Sequence, residues 1–563
     1  MTDTDKKHRP RVMVIGLDGA TLDLAGPWLQ AGLLPNLAKL RQRGGAGRLR
    51  SVWPVLSPSA WASFATGVNP GRHGVFDFAQ RAPNSYQLKL VTSQDLRAPT
   101  LWRLLSEAGK RVAVINVPMT YPAESVNGVL ITGLGTPDQQ VFSHPPELSS
   151  KLRAQGYRVN KSVFYRPGRE DAFLKDVYAM TYQVGETALS LLKQEPWDFF
   201  MVVFRDTDEL AHYFWKHMDA EHPAHNHQHD EQWASTLKDY YIHLDQWIGR
   251  LVDAAGPDVD ILVMSDHGMG PLYKDVYLND WLRQQGWLKT VARPYPPGGW
   301  LGQLGLTRSS VSEFLQTVGL AKFERWLRAR LGKAIQLLPA NNRYHFPDAI
   351  DWSHTQAYSY GYHGQVYLNV IGREPAGIVA TPADYERVLS MVENGLKGLQ
   401  DPDDGRPIVS NILRQQDAFQ GPYASLGADL VIVMRDMSYI TRQGYEFSPS
   451  HKSFVSRPNS FESGSHRIDG LLFFGGPSFH SILDIPTCSI LDLAPTIMYI
   501  LGLEVSNKLD GQVLLDYIAD NNKLTTNLTD AYHNIEALSD KNLLTESEEQ
   551  ELLERLRNLG YLS

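Results

Sequence analysis

Short runs of β-branched, aliphatic or aromatic residues recur at 12–17, 112–117, 199–204, 261–264, 430–434 and 471–474, with longer stretches of helical character between them. That alternation predicts an α/β fold: a mainly parallel sheet covered by helices. In open sheets of this kind ligands bind beyond the carboxyl ends of the strands. Asp18 follows the first run directly, Asp208 follows the third by a few residues, and Asp266 follows the fourth almost at once. Three carboxylates are therefore expected on one edge of the sheet.

The pattern changes between 281 and 350. Pro294-Tyr295-Pro296-Pro297-Gly298-Gly299 breaks the chain, and helical spacing resumes at 311–318 and 322–338. We read this segment as a helical insertion or cap between a first part of a catalytic core (1–280) and a second part (351–510). In its second stretch Lys322, Arg325, Arg328, Arg330 and Lys333 alternate with Phe323, Trp326, Leu327 and Leu331. Such a helix can lie on a membrane surface, clamp an anionic substrate, or simply pack on the core with a solvated outer face. A tail follows from 511 to 563. There Thr545-x-x-Glu548 is a capping-box signature opening an amphipathic helix with Leu552, Leu553, Leu556 and Leu559 on one face, and Gly560 ends it. That face suits either the chain's own domain or a second subunit of a homo-oligomer.

Composition narrows the partners. The chain has 563 residues, 43% hydrophobic and 21% charged, with a net charge of -8. This is globular in type and carries no basic footprint for duplex nucleic acid. Cys488 is the only cysteine, so no intramolecular disulfide can form. No apolar run is long enough for a signal-peptide core or a membrane span, and a cytoplasmic location is expected.

The chemistry resides in motifs that are ambiguous singly. Asp18-Gly19 closes a strand with a carboxylate and a sharp turn. Ser57-Pro58-Ser59-Ala60-Trp61 reads as a turn entering a helix, which places a hydroxyl beside backbone N–H groups that favour anions. Asp208 and His212, four residues apart, share one face of a helical turn. Ser265-Asp266-His267-Gly268 sets an oxygen and a nitrogen ligand side by side at a strand end, and His466 precedes the last apolar run. Six ligands and one hydroxyl nucleophile match a two-metal phosphoryl-transfer site, in which each ion takes about three carboxylate or imidazole ligands.

Taken in order, Gly16-Leu17-Asp18-Gly19, Ser57-Pro58-Ser59-Ala60-Trp61 with Ala65-Thr66-Gly67-x-x-Pro70-Gly71-Arg72-His73-Gly74, Asp208-x-x-x-His212, Ser265-Asp266-His267-Gly268-Met269 and Gly464-Ser465-His466 resemble the alkaline phosphatase superfamily. Within it the chain looks like the type I phosphodiesterase/nucleotide pyrophosphatase branch, in its bacterial and archaeal predicted phosphohydrolase/phosphomutase group. The resemblance covers roughly residues 11 to 510 and extends to Tyr367–Pro375 and Gly421-Pro422-Tyr423.

It implies a three-layer α/β sandwich and two divalent ions. One would be held by Asp208, His212 and His466, the other by Asp18, Asp266 and His267, with Ser57 as nucleophile beside the latter. Zinc is the ion the resemblance implies, and mixed nitrogen and oxygen ligands suit zinc or manganese better than magnesium alone. Three carboxylates and a serine alkoxide balance the four positive charges of two dications. The implied substrate is a small phosphate ester or nucleotide.

Some positions depart from the family pattern. Where eukaryotic-type members have a threonine nucleophile and a phosphoryl-binding asparagine, this chain has Ser57 and Phe78, so another donor is needed. Trp61 and Arg205 are candidate substrate contacts, and Asp206 a supporting group. His73 reads as a turn residue, and His217, His222, His225, His227 and His229 as loop histidines and not a third metal site. A sulfatase is disfavoured, because the Ser57 segment lacks the proline and arginine positions for formylglycine conversion. Phosphomutase, phosphotransferase and phosphomonoesterase chemistry share the phosphoserine step. A non-catalytic scaffold would be expected to have lost ligands, and all seven positions are present.

Overall fold

The computed structural model describes residues 10–82, 84–226, 230–291, 349–442, 447–448, 453–458, 461–519, 528–529 and 544–559. Its centre is a ten-stranded sheet. Across its middle run Gly44–Arg50, Asp469–Gly475, Asp260–Met264, Val12–Leu17, Phe199–Phe204, Val112–Val117 and Gly128–Thr132, in that spatial order. Val12–Leu17 pairs in parallel with Phe199–Phe204 and with Asp260–Met264, and Val112–Val117 pairs in parallel with Phe199–Phe204 and with Gly128–Thr132.

Val12–Leu17 and Phe199–Phe204 are apolar and buried at every position because helices cover both faces, and the period of two divides their side chains between two cores. Met13, Ile15 and Leu17 join Phe200, Val202 and Phe204 on the face packed by the helices Glu170–Gln194 and Thr236–Ala255. Val12 and Val14 join Phe199, Met201 and Val203 on the face packed by Ser57–Thr66 and Leu493–Ile500. The result is the expected three-layer sandwich.

Two expected strands behave differently. The 471–474 run lies within Asp469–Gly475, which is antiparallel to both neighbours. Gly44–Arg50, beside it, carries no β-branched run and gave no strand signal. Its glycines are needed because a Cβ at Gly44 would stand 2.2 Å from the Phe474 carbonyl oxygen. Leu430–Met434 is a strand, but of a separate seven-stranded sheet that also contains Ala357–Ser359 and Gln365–Leu368. With the helices Leu278–Gln284 and Pro382–Lys397 it encloses its own core around Trp281, Tyr358, Val388 and Leu430. An apolar run specifies a buried strand and not which of two sheets receives it.

The helical stretches expected at 311–318 and 322–338 lie outside the described residues. The tail helix forms over Glu546–Asn558, with Thr545 and Glu548 exchanging the capping hydrogen bonds. It docks on its own chain: Leu552 and Leu556 share an apolar cluster with Phe78, Leu90 and Leu134, and the Arg555 guanidinium meets Asp138 at 2.6 Å. Among the described residues no helix is long and apolar enough to cross a membrane.

Candidate active site

Parallel register brings the strand ends together. Leu17 lies opposite Phe204 and Gly16 opposite Met264, so Asp18, the Asp206–Met218 helix and Asp266 all emerge at one edge. Gly19 turns the chain there at φ 68°, and its N–H donates to Asp266 Oδ1 at 3.1 Å. His466 arrives on the short strand Gly464–Arg467, which pairs with Gly268–Pro271 and sets His466 opposite Met269, two residues beyond His267. Ser57 begins a helix with Pro58 in its first turn, so its hydroxyl sits at the positive end of that helix.

All seven expected side chains meet here, each between 0% and 9% exposed. His212 Nε2 and His466 Nε2 lie 3.1 Å apart, and Asp208 Oδ1 is 3.3 Å from each. A second set adjoins the first. His267 Nε2 is 3.3 Å from Asp266 Oδ2, 3.7 Å from Asp18 Oδ1 and 4.0 Å from Asp208 Oδ1. Ser57 Oγ stands 3.3 Å from both Asp18 Oδ1 and His267 Nε2.

Three observations fit these sets to cations. First, each imidazole donates from Nδ1 to a backbone carbonyl: His212 to Gly464 at 2.9 Å, His466 to Val55 at 2.8 Å, His267 to Gly268 at 3.1 Å. Carbonyls only accept, so Nδ1 carries a proton in each ring and Nε2 is turned inward, the orientation a metal ligand needs. Second, ligand atoms about 2.0–2.1 Å from a tetrahedral ion are about 3.3 Å from one another, close to the Asp208, His212 and His466 spacing. Third, the carboxylates need positive charge. Burial, then Asp266 and Asp208, pushes Asp18 well above the usual carboxylate range, and burial lifts Asp266 to about 7. Asp266 Oδ2 is shielded from solvent and has no hydrogen-bond partner among the described residues. These two groups of three are the metal-holding candidates among the described residues.

The other expected contacts are engaged with neighbouring protein groups. Trp61 is 1% exposed, and its indole N–H donates to Asp18 Oδ2 at 3.0 Å. It orients that carboxylate and offers no exposed stacking face, because the helix start turns it into the core. Arg205 donates to the Val159 carbonyl at 3.0 Å, and Asp206 pairs with buried Lys161 at 2.5 Å. Ser59, the next hydroxyl, lies 2.6 Å from the Pro54 carbonyl oxygen and locks the turn. His73 is buried against Ser63 Oγ at 2.9 Å. Of the loop histidines, His217 pairs with Asp230, His222 bonds the Leu272 carbonyl and His225 the Lys216 carbonyl; His227 and His229 lie outside the described residues.

One residue at the site was not anticipated. His363 approaches from the second sheet, its ring centroid 5.4 Å from that of His466. Its only local signal is the Gly361-Tyr362-His363-Gly364 turn.

A model of the type I phosphodiesterase / nucleotide pyrophosphatase family matches residues 12–451. The chain belongs to that family. It is thus a phosphoester hydrolase by family, and the site described above is built from residues on both sides of that boundary, since His466 lies beyond it. Among solved structures, phosphonoacetate hydrolase from Sinorhizobium meliloti 1021 in complex with phosphonoformate is similar at a TM-score of 0.51 and 17% identity, covering 88% of this chain and 95% of that one. Human ectonucleotide pyrophosphatase / phosphodiesterase 5 aligns at a TM-score of 0.48 and 12% identity, over 90% of this chain and 99% of that one. The phosphonoacetate hydrolase likeness shows the shared alkaline-phosphatase-like fold. No curated protein matches the chain.

Proposed function

We propose that the chain is a two-metal phosphodiesterase that acts through a phosphoserine on Ser57. The observation that carries this is the position of Ser57 Oγ, buried at a helix start and 3.3 Å from one atom of each of two residues in the second ligand set. Asp208, His212 and His466 would hold one divalent ion, and Asp18, Asp266 and His267 the other, zinc by preference and manganese next. Such a pair supplies positive charge for the attacking and leaving oxygens of an in-line displacement.

The residues perform the rest. Ser57 Oγ forms the new P–O bond as the ester P–O bond breaks and the alcohol leaves. The Ser57 proton passes to water and the departing alkoxide takes one from water, while Asp18, its Oδ2 pinned by Trp61, keeps Oδ1 3.3 Å from the nucleophile. Water then hydrolyses the phosphoserine and restores the hydroxyl. The apolar packing of Ser57–Thr66, buried at every position, keeps the nucleophile from wandering.

The test compares an aryl phosphodiester with the matching monoester, using zinc- and manganese-reconstituted protein. Faster diester cleavage, lost in Ser57→Ala at unchanged metal content, is the expected result. Normal turnover by Ser57→Ala removes the phosphoserine assignment, and a preference for the monoester moves the reading to a phosphatase or mutase.

A further inference from the structure

The turn between Ala357–Ser359 and Gln365–Leu368 belongs to the second sheet, yet it carries His363 to the edge of the main one. The backbone there is held in an unfavourable form, with His363 at φ 60°. Its neighbours enforce this. Thr441 Oγ1 accepts from the Gly364 N–H at 2.8 Å and donates to the Gly361 carbonyl at 2.8 Å, while the Gln365 side chain donates to the Tyr362 carbonyl at 3.0 Å. Tyr362 packs in one apolar cluster with Leu56, the residue before the nucleophile. A strained residue so firmly clamped is a mark of a functional position.

The side chain is anomalous as well. His363 is 4% exposed, and neither Nδ1 nor Nε2 has a hydrogen-bond partner among the described residues. Buried ring nitrogens are ordinarily satisfied, so this pair is set for something that binds. It belongs to neither ligand group. A histidine ring carries at least one N–H in either protonation state, so it always has a hydrogen bond to give.

We propose that His363 is a phosphoryl-binding residue, reaching the site from the second sheet, whose ring N–H donates to a non-bridging oxygen of the substrate phosphate. This rests on the phosphodiesterase reading above. It also makes the second sheet a wall of the active site.

The probe is inorganic phosphate, titrated calorimetrically into the zinc-loaded full-length protein, with metal content and melting measured alongside. In His363→Ala phosphate affinity and kcat/KM should both fall roughly 10- to 100-fold, the range for one hydrogen bond to a charged group. Metal content should not change. His363→Gln, which keeps a donor at similar reach, should recover most of the loss and guards against misreading a folding defect. Equal phosphate affinity in all three proteins overturns the inference, and so does loss of metal from His363→Ala, which would make it a ligand. Either result leaves the Ser57 reading intact if Ser57→Ala is still inactive, whereas full turnover by Ser57→Ala removes both.

Discussion

A methyl group at position 19 would stand 2.8 Å from Asp208 Cβ and 2.9 Å from Asp208 Oδ1, at a φ of 68°. Gly19 is therefore what lets the two ligand sets approach, beyond merely turning the chain. Gly19→Ala should displace Asp208, and we expect both bound metal and turnover to fall together, measured by metal analysis and ester hydrolysis on the same sample. Trp61→Phe tests the opposite kind of support. It keeps the ring packing but removes the donor to Asp18, and should cost about 1–3 kcal/mol in a denaturant titration, the range for an unsatisfied buried acceptor. Asp266 supplies a pH signature. In metal-free protein its folded value is raised from the ordinary 3.8 to about 7, so the folded state holds a proton that the unfolded chain releases. Its contribution is present in full below the lower value and is lost as pH rises through the upper one. Metal-free wild type should thus lose stability relative to metal-free Asp266→Asn between those pH values, and equal pH slopes for the two would contradict the assignment.

At the level of elements, the Asp206–Met218 helix shows how a charged segment can be buried at a strand end. Asp206 and Glu209 in its first turn both pair with Lys161, itself only 8% exposed. Removing that one cation in Lys161→Met leaves two buried carboxylates without their counter-charge, so we expect a loss of about 3–5 kcal/mol in chemical unfolding. The tail helix is held by weaker means. Leu552 and Leu556 provide its apolar contact, Asp138 N–H donates to Glu551 Oε1 at 2.9 Å, and Tyr213, next to His212, donates to the Leu559 carbonyl at 3.3 Å. Leu556→Asp should release this helix, seen as faster amide exchange over 546–558 and a lower Tm. A helix that remained protected in that variant would mean that its polar contacts suffice.

Across the whole molecule, what was legible in the sequence was local. Six apolar runs marked strands, because burial on both faces demands side chains without polar atoms. Carboxylates just past three of them marked the working edge, because strand ends in parallel sheets point one way. The capping box at Thr545 and the motif order that resembles the phosphodiesterase family were equally local signals. The meeting of His212 with His466, 254 residues apart, was implied by the family resemblance and by no signal in either segment. It depends on the pairing of Gly464–Arg467 with Gly268–Pro271, a register that neither segment specifies alone. Tertiary packing likewise assigned Leu430–Met434 to the second sheet, turned the Trp61 indole onto Asp18, seated the tail helix on its own chain, and carried His363 to the site. A run of residues states how deeply it will be buried and with what period. Which distant surface buries it is settled only when whole sheets close on one another, and the lone histidines of this site take their partners from that closure.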